Sequence, residues 1–447
     1  MDFAKYKPHY KSIIFLGLPL LVGQLGNIAV GFADNIMVGH HGTPELAAAS
    51  FVNNFFNVAL FACVGFAYGL TPLIGSLHAR NENRRIGAYV RIGLRINLIF
   101  TLLVSAIMLG IYFFLDRLGQ PSELMVFIRP YYLIVLAGMI PVCLFNVFAQ
   151  WCFGIGNTVV PTAILLAGNV VNIAGNYVLI FGHFGAPELG LTGAGLSTLG
   201  TRILTMTAIA LIFLYGRRGA AYREGYRQPG HEAGRGSKIA RTGFPVAMQM
   251  FFETAAFSGS AVIAGLLGAI PLAALQIIVV IGMFGFCIYY SIGGAMAIDL
   301  SFAAGRTDNT GMRRSAWAGY HLTLVSMLAA SALFIFCGRD IMGWFTDDAA
   351  VLTAAGAVIF PMVLYQLGDA TQITFANALR GTSQVTPMLF IAFFSYVIVG
   401  LPATYVLAIT AGLGLYGIVL SFSASLFLAA ILYFIFFMKA TKARKMQ

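Results

Sequence analysis

Three carboxylates, Asp34, Glu253 and Asp369, stand inside stretches that are otherwise apolar enough to cross a bilayer. A charge near the bilayer centre costs about 2.5–3.5 kcal/mol, so acids there normally face a partner, a bound cation or a water-filled path. Gln249 and Glu253 are four residues apart, and Tyr365, Asp369 and Gln372 are spaced by four and three, so each set shares one helical face. Asn172 and Asn176 are also four apart, Asn169 lies a turn earlier and Thr198 follows further on. With Asp34 they offer oxygen ligands suited to a hard monovalent cation. Burial disfavours the charged form of an acid and a bound cation restores it, so a proton and a bound cation would compete at these carboxylates.

Each of these residues also has a purely architectural reading. Buried acids can serve as hydrogen-bonding links between helices, and Asn53, Asn54, Asn57, Asn172 and Asn176 can act as amide glue. Arg202 is either a counter-ion to a buried carboxylate or a long side chain packed among helices. Asp299, near the end of an apolar stretch, can reach the surface.

The elements that must hold these groups follow from composition. The 447 residues are 59% hydrophobic and only 10% charged, which defines a polytopic membrane protein. A formal charge of +11 raises the question of nucleic acid, but Lys and Arg fall in short segments between apolar stretches, as membrane topology demands. Cys63, Cys143, Cys152, Cys287 and Cys337 lie in or beside apolar stretches without a CxxC or Cys/His cluster, so they read as packing residues. The first apolar stretch, from about Ser12 to Gly39, is too long for a signal-peptide core and reads as a retained span.

A span needs roughly 20 apolar residues, which parses the chain into twelve helices near 12–38, 46–76, 87–115, 124–148, 158–181, 191–216, 240–267, 272–302, 315–338, 350–378, 387–409 and 413–438. Basic residues then orient them. Lys5, Lys7, Lys11, Arg80, Arg84, Arg85, the arginines of 217–241, Arg306, Arg313, Arg314, Arg380, Lys439, Lys442, Arg444 and Lys445 all fall on one side. The opposite loops hold only Arg117, Arg129 and Arg339, so both termini are expected in the cytoplasm.

The chain also repeats itself at an offset of 226 residues. Gly17-Leu18-Pro19 matches Gly243-Phe244-Pro245, Leu46-Ala47-Ala48 matches Leu272-Ala273-Ala274, and Pro161 matches Pro387. Residues 1–216 and 242–447 are therefore expected as six-helix lobes joined by a basic linker, 217–241. An even number of spans per lobe makes the repeats parallel, related by a pseudo-two-fold axis along the membrane normal, an arrangement suited to alternating access. At this offset Asn27 takes the place of Glu253, so the acids are not symmetric copies.

Asp34-Asn-Ile-Met-Val-Gly, Asn172-Ile-x-x-Asn176, Glu253 and Asp369, together with the repeat, resemble the multidrug and toxic compound extrusion (MATE) transporters, and among them the NorM-like branch. The resemblance spans essentially the whole chain. It implies export of small amphipathic or cationic organic compounds in exchange for sodium or protons, without a cofactor, by a protein of the bacterial inner membrane that works as a monomer. It places a cation region at Asp34, Asn172, Asn176 and Thr198. A second region for cation and substrate falls at Glu253, Tyr365 and Asp369, where Tyr365 offers a cation–π contact and Gln249 and Gln372 share the faces described above. Some members carry Asp in place of Asn176, which leaves Asp34 as the anion of the first set. Two other functions are weighed. A flippase for a lipid-linked amphiphile would want a basic cavity, whereas the deep charges are mainly acidic. A membrane-embedded enzyme would need a nucleophile, metal ligands or a paired acid and base, and no HExxH, GxSxG or histidine cluster occurs within a span.

Overall fold

The computed structural model describes residues 3–230 and 234–442; His231, Arg444, Lys445 and Gln447 lie outside them. Among the described residues every regular element is helical. The first helices are α1 (Lys7–His41), α2 (Thr43–Tyr68), α3 (Leu70–His78), α4 (Asn83–Tyr112), α5 (Met125–Ala137) and α6 (Met139–Gly154). They are followed by α7 (Val159–Phe181), α8 (Gly190–Tyr215), the short α9 (Ala220–Arg227) and α10 (Arg235–Leu266). The remainder are α11 (Ala269–Gly305), α12 (Asn309–Gly343), α13 (Ala349–Gly356), α14 (Ile359–Gly381), α15 (Thr386–Ala392), α16 (Leu401–Tyr405) and α17 (Gly414–Lys442). Eleven helical stretches among the described residues are long and apolar enough to cross a membrane, and α13 with α14 make a twelfth if a bent pair counts as one span.

Three spans are broken, and proline accounts for the place of each break. A proline inside a helix removes one hydrogen bond and clashes with the carbonyl four residues earlier, at a cost of about 3 kcal/mol. Counting back four from Pro72, Pro141 and Pro361 gives Tyr68, Ala137 and Ala357. These are the last residue of α2, the last residue of α5 and the first residue after α13. The third break turns the chain by 53°. Pro19 and Pro245 sit inside α1 and α10 without interrupting either. Between α15 and α16, and again after α16, the backbone widens into π-helical turns at Phe393–Gly400 and Val406–Thr410.

The surface pattern is that of a protein in lipid. Phe15, Ile107, Val262 and Phe336 are exposed while Asn97, Asn176, Thr323 and Asp369 are buried. Hydrocarbon solvates the former and cannot hydrogen-bond the latter, so polar side chains turn inward.

Contacts divide the chain into two units. One runs from Val22 to Ala247, and the other joins the residues up to Leu21 to those from Met248 onward. The boundary thus falls inside α1 and α10. In the second unit the start of α1 is fixed by His9 Nδ1 on Asp299 Oδ2 at 2.7 Å and by Tyr10 Oη on His321 Nδ1 at 2.8 Å. Asp299 is therefore an anchor for α1, and His321, isolated in the sequence, has a tyrosine partner.

Candidate functional site

Within the Val22–Ala247 unit, α7 carries Asn172 and Asn176 one turn apart on a buried face. Asn176 Nδ2 donates to Asp34 Oδ1 of α1 at 2.5 Å. Asn172 Nδ2 donates to Thr198 Oγ1 of α8 at 3.2 Å, and Ser197 Oγ donates to the Asn172 carbonyl at 3.0 Å. The four expected residues thus form two bonded pairs joined through one face of α7. Both amides spend their N–H groups on the protein, while Oδ1 of Asn172 and Oδ1 of Asn176 are buried and accept no hydrogen bond. With Asp34 they leave oxygen acceptors unused, the donor set a hard cation takes.

The end of α1 at His41 and the start of α8 are tied together by Glu45, a buried acid on α2. Its Oε2 accepts the Leu191 N–H at 2.7 Å, placing a carboxylate at the amino terminus of α8, where the helix dipole favours it. His41 at the end of α1 bridges Glu45 (3.0 Å) and Glu188 (3.1 Å). Asp34 and Thr198 therefore sit on helices held in fixed register.

Arg202 of α8 makes no ion pair within 4 Å among the described residues, yet lies in electrostatic reach of Asp34, Tyr131 and Cys143. Its Nη1 would stand 2.7 Å from a β-carbon added at Gly138, so the α5–α6 break gives the guanidinium its space. Of the other asparagines, Asn53 accepts from Tyr131 Oη at 3.3 Å, whereas Asn54 and Asn57 are exposed. The latter two do not act as glue inside the unit.

Within the second unit, Gln249 Nε2 donates to Glu253 Oε2 at 2.5 Å, one turn along α10. Asp369 on α14 is 2% exposed, has Oδ2 unpaired and lies within electrostatic reach of Glu253. Tyr365, one turn before Asp369, is in reach of both acids. Its ring meets Phe257 at 6.3 Å with an 88° tilt and Phe422 at 6.2 Å, which completes an aromatic wall. Gln372 is buried one turn beyond Asp369 with Oε1 unpaired.

The structure adds Tyr289 of α11, Tyr396 of the first π-helical turn and Tyr433 of α17. Each is buried, its hydroxyl has no protein partner, and it lies in reach of Glu253 or Asp369. An unpaired buried hydroxyl costs about 1–3 kcal/mol, so three around two acids mark a polar site within an apolar bundle. Close packing of α11 on α14 is possible because Gly285 has no side chain; a β-carbon there would stand 2.8 Å from Gln366 Oε1 and 3.0 Å from Tyr289 Oη. None of the three tyrosines was selected from sequence. In a chain with 19 tyrosines and 38 phenylalanines, nothing local separates a site-facing ring from a lipid-facing one.

An all-helical bundle of membrane-length spans with polar clusters buried inside them is the architecture of a polytopic membrane protein. The MatE family model matches the chain twice, at residues 19–178 and 245–406, and the chain belongs to that family. The two matches begin 226 residues apart, the offset of the internal repeat. The multidrug resistance protein NorM of Photobacterium profundum is 27% identical over 407 residues, which cover 91% of this chain and 89% of that one. A probable multidrug resistance protein NorM of Xanthomonas axonopodis pv. citri is 30% identical over 395 residues, covering 87% and 84%. In fold the chain is similar to a solved MOP superfamily transporter from Pyrococcus furiosus, with TM-score 0.88, 18% identity and coverage of 98% and 97%.

Proposed function

We propose that this MatE transporter is a multidrug exporter that releases amphipathic, often cationic organic compounds in exchange for sodium. The observation that carries the reading is the company of intramembrane carboxylates, half-buried Asp34 and Glu253 and buried Asp369, with neutral oxygen donors: Asp34 with Asn172, Asn176 and Thr198, and Glu253 and Asp369 with Gln249 and Gln372. The relatives' names, multidrug resistance proteins, support the substrate class.

The mechanism is electrostatic competition. A carboxylate in a dry site needs a positive partner, and an organic cation or sodium can supply it, but both together would repel. Tyr365, Phe257 and Phe422 give the organic cation aromatic faces beside Glu253 and Asp369. Sodium at Asp34 uses the free amide oxygens of Asn172 and Asn176, groups that ligate a metal ion but cannot be titrated. Protons are the competing choice of coupling ion, for which the acids alone would suffice. Entry of one cation down 100 mV supplies about 2.3 kcal/mol, before its concentration gradient adds more. Alternating exposure of the sites to the two faces of the membrane converts this into export.

The reading extends to placement. The Lys and Arg bias supports both termini in the cytoplasm, and in the same reading the protein is a bacterial inner-membrane monomer with residues 1–216 and 242–447 as the repeated lobes and 217–241 as their linker. Export from sealed vesicles under sodium and pH gradients imposed separately tests the function, and export driven by neither would refute it.

A further inference from the structure

At the arginine-rich end of α4, the short helix α9 lies against the membrane span. The approach is close because Gly87 and Gly225 have no side chains: a β-carbon on Gly87 would strike the Tyr222 carbonyl, and one on Gly225 the Arg84 carbonyl. Arg91 closes the contact. Its Nη1 donates to the carbonyls of Tyr226 (3.1 Å) and Arg227 (2.7 Å), groups that the end of a helix leaves unsatisfied.

Beside this joint is a cavity of about 480 Å3 lined by Arg91, Leu94, Arg95, Tyr226 and Arg227. Three of its five lining residues are arginines. Arg84 has Glu224 at 3.5 Å, but among the described residues no carboxylate pairs with Arg91, Arg95 or Arg227. Arg95 is also the last charge on α4, since the residues from Ile96 to Tyr112 carry none. The cavity thus stands where the apolar part of the span begins, at the depth of lipid headgroups. Leu94 supplies an apolar wall facing the same space.

We propose that this cavity binds the phosphate headgroup of an anionic phospholipid, with Arg95 and Arg227 as its ligands and Arg91 as the residue that positions α9. Like charges brought together without an anion repel, and guanidinium groups match phosphate oxygens in two-point hydrogen bonds. A lipid phosphate at the interface satisfies them without entering the hydrocarbon. The bound lipid would fasten α9 to α4.

The test uses the full-length protein in nanodiscs of phosphatidylcholine with and without phosphatidylglycerol, with retained lipid read by native mass spectrometry. The wild type should keep phosphatidylglycerol selectively. Arg95→Gln combined with Arg227→Gln should weaken that retention about thirty-fold, at roughly five-fold per arginine near an anionic surface. Arg217→Gln with Arg218→Gln, which removes two exposed arginines outside the cavity, should leave it unchanged. Equal loss in both double variants, or equal retention of the two lipids, would overturn the site. A detergent sample with inorganic phosphate distinguishes the sources: no change in unfolding midpoint is expected, and stabilisation equal to that given by phosphatidylglycerol would overturn the assignment to lipid.

Discussion

Asn176 donates from Nδ2 to Asp34 Oδ1 at 2.5 Å, and its own Oδ1 is buried without a partner. One amide therefore aims the only acid of its cluster and contributes a neutral oxygen next to it. An aspartate in that place would set two like charges side by side, of which one would need a proton or a second cation.

Asn176→Ala should raise the sodium concentration for half-maximal export by about ten-fold, the effect of losing one hydrogen bond to a charged group. The check is the sodium dependence of export by reconstituted protein. Unchanged dependence in a folded variant would make Asn176 an architectural residue only.

Glu253→Gln and Asp369→Asn should each abolish gradient-driven export while the protein stays folded, because the amides keep the shape and lose the charge. Export in vesicles, with folding checked by size-exclusion profile, decides this. Near-normal transport by both variants would remove the acids of the second unit from the mechanism.

Gly138 and Arg202 offer a test of packing. A valine at Gly138 would collide with the guanidinium and should cost about 1–3 kcal/mol of stability. Arg202→Ala should recover part of that loss in the double variant, which a thermodynamic cycle on the folded yield and melting point would register as coupling. Strictly additive losses would mean that the two positions are independent.

Topology has its own check. In a background with Cys337 replaced by serine, cysteines at Glu123 and Asp347 should be labelled from outside intact cells, and one at Gly234 only after permeabilisation. External labelling at 234 would reverse the orientation drawn from the lysine and arginine bias.

How much of this was legible in the sequence depends on whether the signal is local. Spans are local: an expected helix at 191–216 is found at Gly190–Tyr215, and one at 387–409 at Thr386–Thr410. Spacing of four on a helix brought out Gln249 with Glu253 and the α7 pair Asn172 and Asn176. The breaks were also within reach, since Pro72, Pro141 and Pro361 each mark an interruption four residues earlier; yet Pro19 and Pro245 do not, so proline alone does not decide. Packing between distant segments left no such trace. The three tyrosines near Glu253 and Asp369 come from α11, a π-helical turn and α17, and the anchoring of α1 through His9 and Tyr10 joins residues about three hundred positions apart. Neither relation has a period or a motif.

Coupling of export to sodium rests on intramembrane carboxylates with neutral oxygen donors beside them. It is tested most directly by efflux of an organic cation from vesicles holding the purified protein, at one fixed pH on both sides, with the membrane potential clamped and only the sodium gradient varied. Export should rise with the sodium gradient and be lost in Glu253→Gln. Export indifferent to sodium but restored by a pH gradient would contradict it and assign the coupling to protons.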